Sequence, residues 1–491
     1  MISYWLKNES IKDKIYIPKY YNPEIQQKLE YLKGTHQVIQ ISKLIEDGTL
    51  TVCTGHEIGK LSYGTGDIPF IRTSDISNWE TKTAPKQGVS EDIYNVYNIQ
   101  QDVQVGDILL VRDGTYLIGT NCIITELDEK IIYQSHIFKI RVNKKDIINP
   151  YLLFIIINSP IFQEQIRSVQ FTADTIDTIG NRFFDLYLPI PNDNIFKKDI
   201  ASKAQIAMRN REIGKAFIKH APNLIEESLR SNSTIPIQKF LSSSWKDILN
   251  NMNSDTITSE FGQFETFWID RGSVRDKIYL PKYYDPDVKK EIQDISDSCD
   301  CISIEDLVEK GILELNTGDE IGKMAYGTGS VPFLRTSDFS NWEIKHDPKQ
   351  GVSQEIYEEY AASQDVKSGD ILLVRDGTYL IGTSCIITKI DTQILYCGGL
   401  YKIRVKDKSK FDEWLLLGLL NSYIVKRQIR TKQFTRDVID TLGKRLTEII
   451  LPIPKSKELR NSLSKQIKDI VSMRISARKD IQKLADSLYE K

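Results

Sequence analysis

The residues with the most chemical reach lie in short polar turns, and each turn occurs twice. GDILLVRDGTYLIGT runs from Gly106 to Thr120 and returns unchanged from Gly369 to Thr383. It offers Arg112, Asp113, Thr115 and Tyr116 in the first copy and Arg375, Asp376, Thr378 and Tyr379 in the second. A cation, a carboxylate, a hydroxyl and an aromatic ring side by side suit the reading of hydrogen-bonding edges, although an Arg-Asp pair at a turn serves equally well as a solvated cap. EIGKxxYGTG adds Lys60, Tyr63 and Thr65, with Lys323, Tyr326 and Thr328, among glycines that leave the backbone open to a phosphate. RTSD adds Arg72, Thr73, Ser74 and Asp75, with Arg335, Thr336, Ser337 and Asp338; PKQGVS adds Lys86 and Gln87, with Lys349 and Gln350. Arg and Lys can grip the acceptor edge of guanine, Gln can pair with adenine, and hydroxyls anchor phosphates. A surface or turn role is the plainer account of any one of these residues, and their joint return points to a shared binding task.

Bond-making chemistry is harder to place. A function common to both copies must use residues present in both, and the five histidines fail that test: His36, His56, His136, His220 and His346 stand opposite Cys299, Asp319, Gly399, Lys483 and Thr83. Nucleophile elbow, phosphate loop and dinucleotide fingerprints are missing. Asp75, Glu80 and Lys82, with Asp338, Glu343 and Lys345, mimic the acidic pair and lysine of a metal-dependent nuclease, but a separation of five positions from one carboxylate to the next is too short for a site on two strands. NPYLLF at Asn149 has the outline of an amino-methyltransferase tetrapeptide, yet it lacks the second proline and a cofactor-binding glycine motif, so it reads as a helix start. No catalytic residue, metal or cofactor is expected in this chain. Six cysteines form no framework: only Cys122 and Cys385 correspond, and the CxC at Cys299 and Cys301 has no second pair at zinc spacing.

The elements that position these turns repeat with them. One offset of 263 residues, without a gap, aligns KIYIPKYYNP from Lys14 with KIYLPKYYDP from Lys277, and LPIP closes both units at Pro191 and Pro454. The spacing predicts an α+β unit: a short helix and strand in QISKLIEDGTL, a strand IPFI, a helix in SEDIYNVY, a two-residue Asp-Gly hairpin between ILLV and YLI, strands CIIT and HIFKIRV, and a helix from Pro150 to about Val169. Hydrophobic content of 40% with 27% charged residues is that of an ordinary globular chain of two or more domains, and a net charge of −2 neither demands nor excludes nucleic acid. The longest apolar runs fall short of a membrane span and the N-terminus lacks a signal-peptide layout, so a cytoplasmic location is expected.

Each unit is followed by a basic, helix-rich stretch. Leu463, Ile467, Ile470, Ala477, Ile481, Leu484 and Leu488 form a heptad seam interrupted by Arg474. The same register in the first copy holds Ile200, Ala204, Ala207, Arg211, Gly214, Ile218, Ala221 and Ile225, smaller residues that would let two helices approach closely. The expectation is an antiparallel coiled coil with pseudo-twofold symmetry, with Pro222 breaking or restarting the first helix. The boundaries read as a first repeated domain over 1–194, a helix over 195–230, a Ser/Asn/Thr-rich linker over 231–266 with a short helix near Trp245 to Leu249, a second repeated domain over 267–457 and a second helix over 458–491.

At this point the chain resembles the DNA-specificity subunits of type I restriction-modification systems, on GTGDIPFIRTSDI, on GDILLVRDGTYLIGT and on the order of domain, helix, domain, helix. The resemblance implies a non-catalytic subunit that binds double-stranded DNA, each domain reading half of a split site. It implies paired helices that set the distance and dock methyltransferase subunits, where S-adenosylmethionine is held, and a restriction subunit in the larger assembly. A specificity-like subunit of another bacterial defence or modification complex fits the same residues. Such subunits commonly carry dissimilar domains. Here the likeness of the halves points to a gapped, nearly palindromic target. One stretch breaks the likeness in charge: residues 426–445 carry seven basic and two acidic residues against two and three over 163–182, which predicts tighter phosphate contact by the second domain.

Overall fold

The computed structural model describes residues 5, 11, 15–114, 116–128, 130–173, 176–233, 267–270, 272, 274–275, 278–377, 379–436 and 439–489. The chain divides into two compact units, Met1–Glu212 with Ile475–Lys491, and Ile213–Arg474. Both are α+β and share one plan. In the first, a four-stranded antiparallel sheet is ordered Leu50–Thr54, Ile137–Val142, Ile108–Val111, Asn121–Ile123, with Ile140 opposite both Val52 and Ile108. The all-apolar strand ILLV is buried at every position, which explains why its sequence does not alternate. A small sheet places Ile68–Ile71 between Gly88–Val89, antiparallel, and Ile132–Tyr133, parallel. The second unit repeats this with Leu313–Thr317, Leu400–Val405, Ile371–Val374 and Ser384–Ile386, and with Val331–Leu334 between Gln350–Val352 and Leu395–Tyr396.

Three expectations are corrected. The helix expected from Pro150 to Val169 is two, Pro150–Asn158 and Pro160–Val169. Proline has no N–H to continue a helix and pushes the residue before it out of helical geometry, and Ser159 is accordingly extended at ψ 149°. The expected Asp-Gly hairpin does not form. The strands flanking it close through Val111 N–H to Thr120 O (2.8 Å), so a loop of eight residues separates them, and Asp113 lacks the positive φ that a two-residue turn requires. That turn is made instead by Asn78-Trp79 (φ 51° and 63°) between Ile76–Ser77 and Glu80–Thr81, and by Asn341-Trp342 in the second unit. An indole is a poor choice for positive φ. Its burial offsets the cost: Trp79 is 3% exposed and donates from Nε1 to Asn158 Oδ1 at 2.8 Å.

The third correction concerns Pro222, which lies inside one uninterrupted helix, Asn194–Ser231. Proline removes one backbone bond, and the buried Ala221, Leu224, Ile225 and Leu229 around it hold the helix through the gap. The division between the units falls within this helix and within the C-terminal helix, Lys457–Ser487. In the second unit the two run antiparallel. Gly214 faces Arg474, with a Cβ there only 2.5 Å from the arginine Cγ, while Ile225 and Ile467 both reach Gly418. In the first unit Ala204, Ala207 and Met208 share a core with Ala477, Ile481 and Leu488, and Phe196 lines a recess with Leu488 and Tyr489. The expected seam is therefore the buried one, arginines included.

Those arginines anchor the helices. Arg211 lies 3.1 Å from Glu80, and Arg474 lies 2.6 Å from Glu343, with all four side chains nearly inaccessible. The Asn-Trp turns deliver the two carboxylates. The linker helix expected near Trp245 lies outside the described residues. No helix among the described residues is long and apolar enough to cross a membrane.

His220, in the first long helix, has its pKa pulled down to about 4, first by burial and then by the charge of Lys219. The unfolded chain binds this proton near pH 6.5 and the folded chain does not, so the neutral ring's contribution is complete above pH 6.5 and is lost as pH falls toward 4. The loss is up to about 3 kcal/mol. Urea titrations at pH 7 and pH 4.5 are expected to show a smaller pH dependence in His220→Gln than in the parent, and equal dependence would refute the assignment.

Candidate functional site

Each unit brings the predicted residues together in two groups, one at either end of the central strand of its small sheet. At the start of Ile68–Ile71 sits a 3-10 turn, Lys60–Ser62. Thr65 donates to Ser62 O (2.9 Å) and accepts from Ser90 N–H (3.0 Å), and Tyr63 stacks on Phe70 at 5.7 Å. Thr328 and Tyr326 do the same through Ala325 O, Ser353 N–H and Phe333. These four residues therefore build the turn. The glycines are equally committed: Gly64 N–H is taken by Gly88 O at 2.8 Å, and a Cβ on Gly66 would meet Val89 O at 2.7 Å. What the turns present outward is Lys60 and Lys323, and beside them Leu61 and Met324, exposed at 95% and 92%. Nothing in the sequence singles out these two apolar tips, because neither residue type is polar.

The second group forms at the other end of the strand. Asp75, 1% exposed, accepts the backbone N–H of Arg72 at 3.1 Å and that of Lys86, so it ties RTSD to PKQG. Burial pushes its carboxyl up, against the nearby Lys82 and those two hydrogen bonds. Asp338 performs the same task for Arg335 (2.8 Å) and Lys349. The turn so held presents Arg72, Thr73 and Ser74, half-buried, and in the second unit an exposed Arg335 with half-buried Thr336 and Ser337. Neither guanidinium forms an ion pair among the described residues. Lys86 and Lys349 are exposed, while Gln87 and Gln350 are half-buried where the edge strands begin. The nuclease-like carboxylates are thus engaged in structure, Asp75 with backbone N–H groups and Glu80 with Arg211.

The Arg-Asp pair is placed differently from a hairpin tip. Asp113 is buried and accepts from Thr178 Oγ1 (2.5 Å) and His136 Nδ1 (2.9 Å), with Arg112 Nε at 3.2 Å. Burial raises its pKa, but the bonds from Thr178 and His136 and the charge of Arg112 outweigh that and hold the carboxyl below its usual range. Arg112 lies over the Phe138 ring at 4.9 Å. In the second unit Asp376 accepts from Thr441 Oγ1 (2.5 Å) and from Arg375, which lies 5.6 Å from the Tyr401 ring centre. The aspartates are therefore braces. Tyr116 is half-buried and Tyr379 43% exposed; Thr115 and Thr378 lie outside the described residues.

Between the RTSD and Arg-Asp segments runs a tripeptide left out of the predicted set. Gln134 N–H bonds Ile71 O and Arg112 N–H bonds His136 O, each at 3.0 Å. Cys397 and Gly399 hold the same place, bonded to Leu334 and Arg375. Its failure to repeat was visible in the sequence, but its position between two repeating segments was not.

Part of the basic charge over 426–445 is engaged internally. Arg427 pairs with Glu291 and Asp285, Lys432 lies 2.9 Å from Glu448 and 3.6 Å from the Tyr283 ring centre, and Arg445 donates to Lys432 O and Thr441 O. Lys444 remains exposed.

No protein-family model matches the chain, and no curated protein does. Solved structures match it over almost its whole length. One is a type I restriction-modification system S subunit from M. genitalium, at 12% identity over 91% of this chain and 95% of that one, with a TM-score of 0.35. A second is the HsdS subunit from Thermoanaerobacter tengcongensis, at 14% identity over 93% and 95%, TM-score 0.27. A third comes from a study of complex assembly and conformational transition of the type I R-M system, at 12% identity over 92% and 98%, TM-score 0.27.

Proposed function

We propose that this chain is a sequence-specific DNA-binding specificity subunit of a type I restriction-modification complex. One observation carries the reading: the same cluster of outward donors, Arg72 to Ser74 with Lys86 and Gln87, is built a second time at Arg335 to Ser337 with Lys349 and Gln350, each held on its frame by a buried aspartate, Asp75 or Asp338. A twin reader suits a target with two related halves. The long helices set the spacing and dock methyltransferase subunits, which bring S-adenosylmethionine and make the bond; a restriction subunit can join. This chain reads and does not react.

The test is purification of the full chain with its methyltransferase subunits, followed by mapping of modified adenines. A gapped target with closely related half-sites is expected. Two unrelated half-sites would refute the twin-reader argument, and absence of modification would refute the role.

A further inference from the structure

The two candidate surfaces share their Arg-Thr-Ser, Lys-Gln and Arg-Asp segments and differ at a tripeptide that lies in the middle of each. In the first unit it is Gln134, Ser135 and His136. The imidazole is held in place, its Nδ1 2.9 Å from Asp113 Oδ2, and its Nε2 stands 3.7 Å from Glu57, which also accepts from Ser135 Oγ. The His136 side chain is 38% exposed. With Nδ1 committed, Nε2 is the ring's remaining hydrogen-bonding atom, and the half-buried Gln134 amide stands two residues away.

In the second unit these side chains are gone. Cys397, Gly398 and Gly399 hold the same backbone course, with Arg375 N–H on Gly399 O at 2.9 Å and Cys397 N–H on Leu334 O at 3.0 Å. Neighbours close over the glycines: the Thr336 methyl would lie 3.1 Å from a Cβ on Gly399, and Glu320 Oε1 2.8 Å from one on Gly398. The floor here is backbone and a buried thiol, without the imidazole and carboxamide of the other unit.

We infer that Gln134 and His136 are specificity-determining residues for one base of the half-site read by the first unit, and that the second unit leaves the corresponding base degenerate. The inference rests on the DNA-reading function proposed above. Its physical basis is that base discrimination comes from placed hydrogen-bonding groups, each good pair giving roughly ten- to a hundredfold preference, and only one of the twin floors has them. Arg72 to Ser74 and Arg335 to Ser337 would then read what the halves have in common, and the tripeptide what they do not.

The experiment grafts one floor onto the other in the full chain, purified with its methyltransferase subunits, and maps modified adenines across a genome. The parent is expected to mark a gapped target whose halves match except at one position, specified in one half and degenerate in the other. Gln134→Cys, Ser135→Gly and His136→Gly together should relax that position and make the motif symmetric. The reverse graft, Cys397→Gln, Gly398→Ser and Gly399→His, should add a preference in the other half. A parent motif with both halves equally specified would overturn the inference, as would a graft that modifies DNA with the parent motif intact. Loss of all modification in both grafts would overturn it too, because residues that only choose a base leave the rest of the reader competent. If the parent marks no split target, the function itself falls, and that result is distinct from the others.

Discussion

Arg474→Ala is expected to destabilise the second unit by about 3–5 kcal/mol, because it removes one partner of a buried ion pair and leaves the other charge without a counterion. Glu343 and Arg474 are 1% and 0% exposed, 2.6 Å apart, and the carboxylate sits just after a tight turn that has no freedom to swing it toward water. The truncation also empties space against Gly214, whose missing side chain exists to admit the arginine's methylene stem. Hydrogen exchange on the full chain reads this locally, as lost protection over 213–231 and 457–474. A second variant separates charge from packing: Glu343→Leu with Arg474→Met should recover most of the loss, since a well-packed apolar pair often replaces a buried ion pair at little cost. The first unit provides a replicate in Arg211 and Glu80. A change below about 1 kcal/mol in Arg474→Ala would mean that water reaches the pair and that the helix is not pinned there.

This pair also shows what the sequence could and could not say. Arg474 interrupts a heptad seam, and its counterpart Arg211 interrupts the other at the same register, so a buried arginine was legible as a position. Its partner was not. Glu80 and Glu343 lie 131 residues from their arginines, and spacing along the chain made them look like nuclease ligands. Repetition has the same double meaning elsewhere. Asp107 and Asp370 recur because each receives an arginine, Arg141 and Arg404, at 2.7 and 2.6 Å. Gln101 and Gln364 recur because each bonds both backbone groups of a buried tyrosine, Tyr133 or Tyr396. A fold used twice keeps its braces as faithfully as its reading residues, so recurrence alone cannot sort them. Exposure and hydrogen-bond completion do, and they move Thr65, Tyr63, Asp113 and their twins to the frame while leaving Lys60, Arg72, Lys86 and theirs at the surface. The periodic elements were legible because apolar spacing is local. The Asp-Gly hairpin was misread because its loop is drawn onto a distant strand, with Gly114 N–H on Asp177 O at 2.9 Å.

Arg335→Ala is expected to weaken target binding by the assembled complex roughly ten- to a hundredfold, and Arg72→Ala by a similar factor. The side chains start from backbone fixed by Asp338 and Asp75, so little ordering entropy is lost on contact, and among the described residues neither guanidinium must abandon an ion pair to reach DNA. With the half-sites read independently, the double variant should lose the product, on the order of a hundred- to ten-thousandfold. Two kinds of contact would produce a loss, and lysine tells them apart. A bidentate grip on a guanine edge needs the planar fork, so Arg335→Lys should bind nearly as poorly as alanine and should relax one base in the modified motif, with the salt dependence almost unchanged. A phosphate contact needs only charge, so Arg335→Lys would bind like the parent, and alanine would lower the slope of log affinity against log salt by about 1. We expect the first pattern, because an exposed arginine flanked by hydroxyls at the end of a strand already has phosphate anchors beside it in Thr336, Ser337 and Lys349, and a fourth positioning group would add affinity without adding choice.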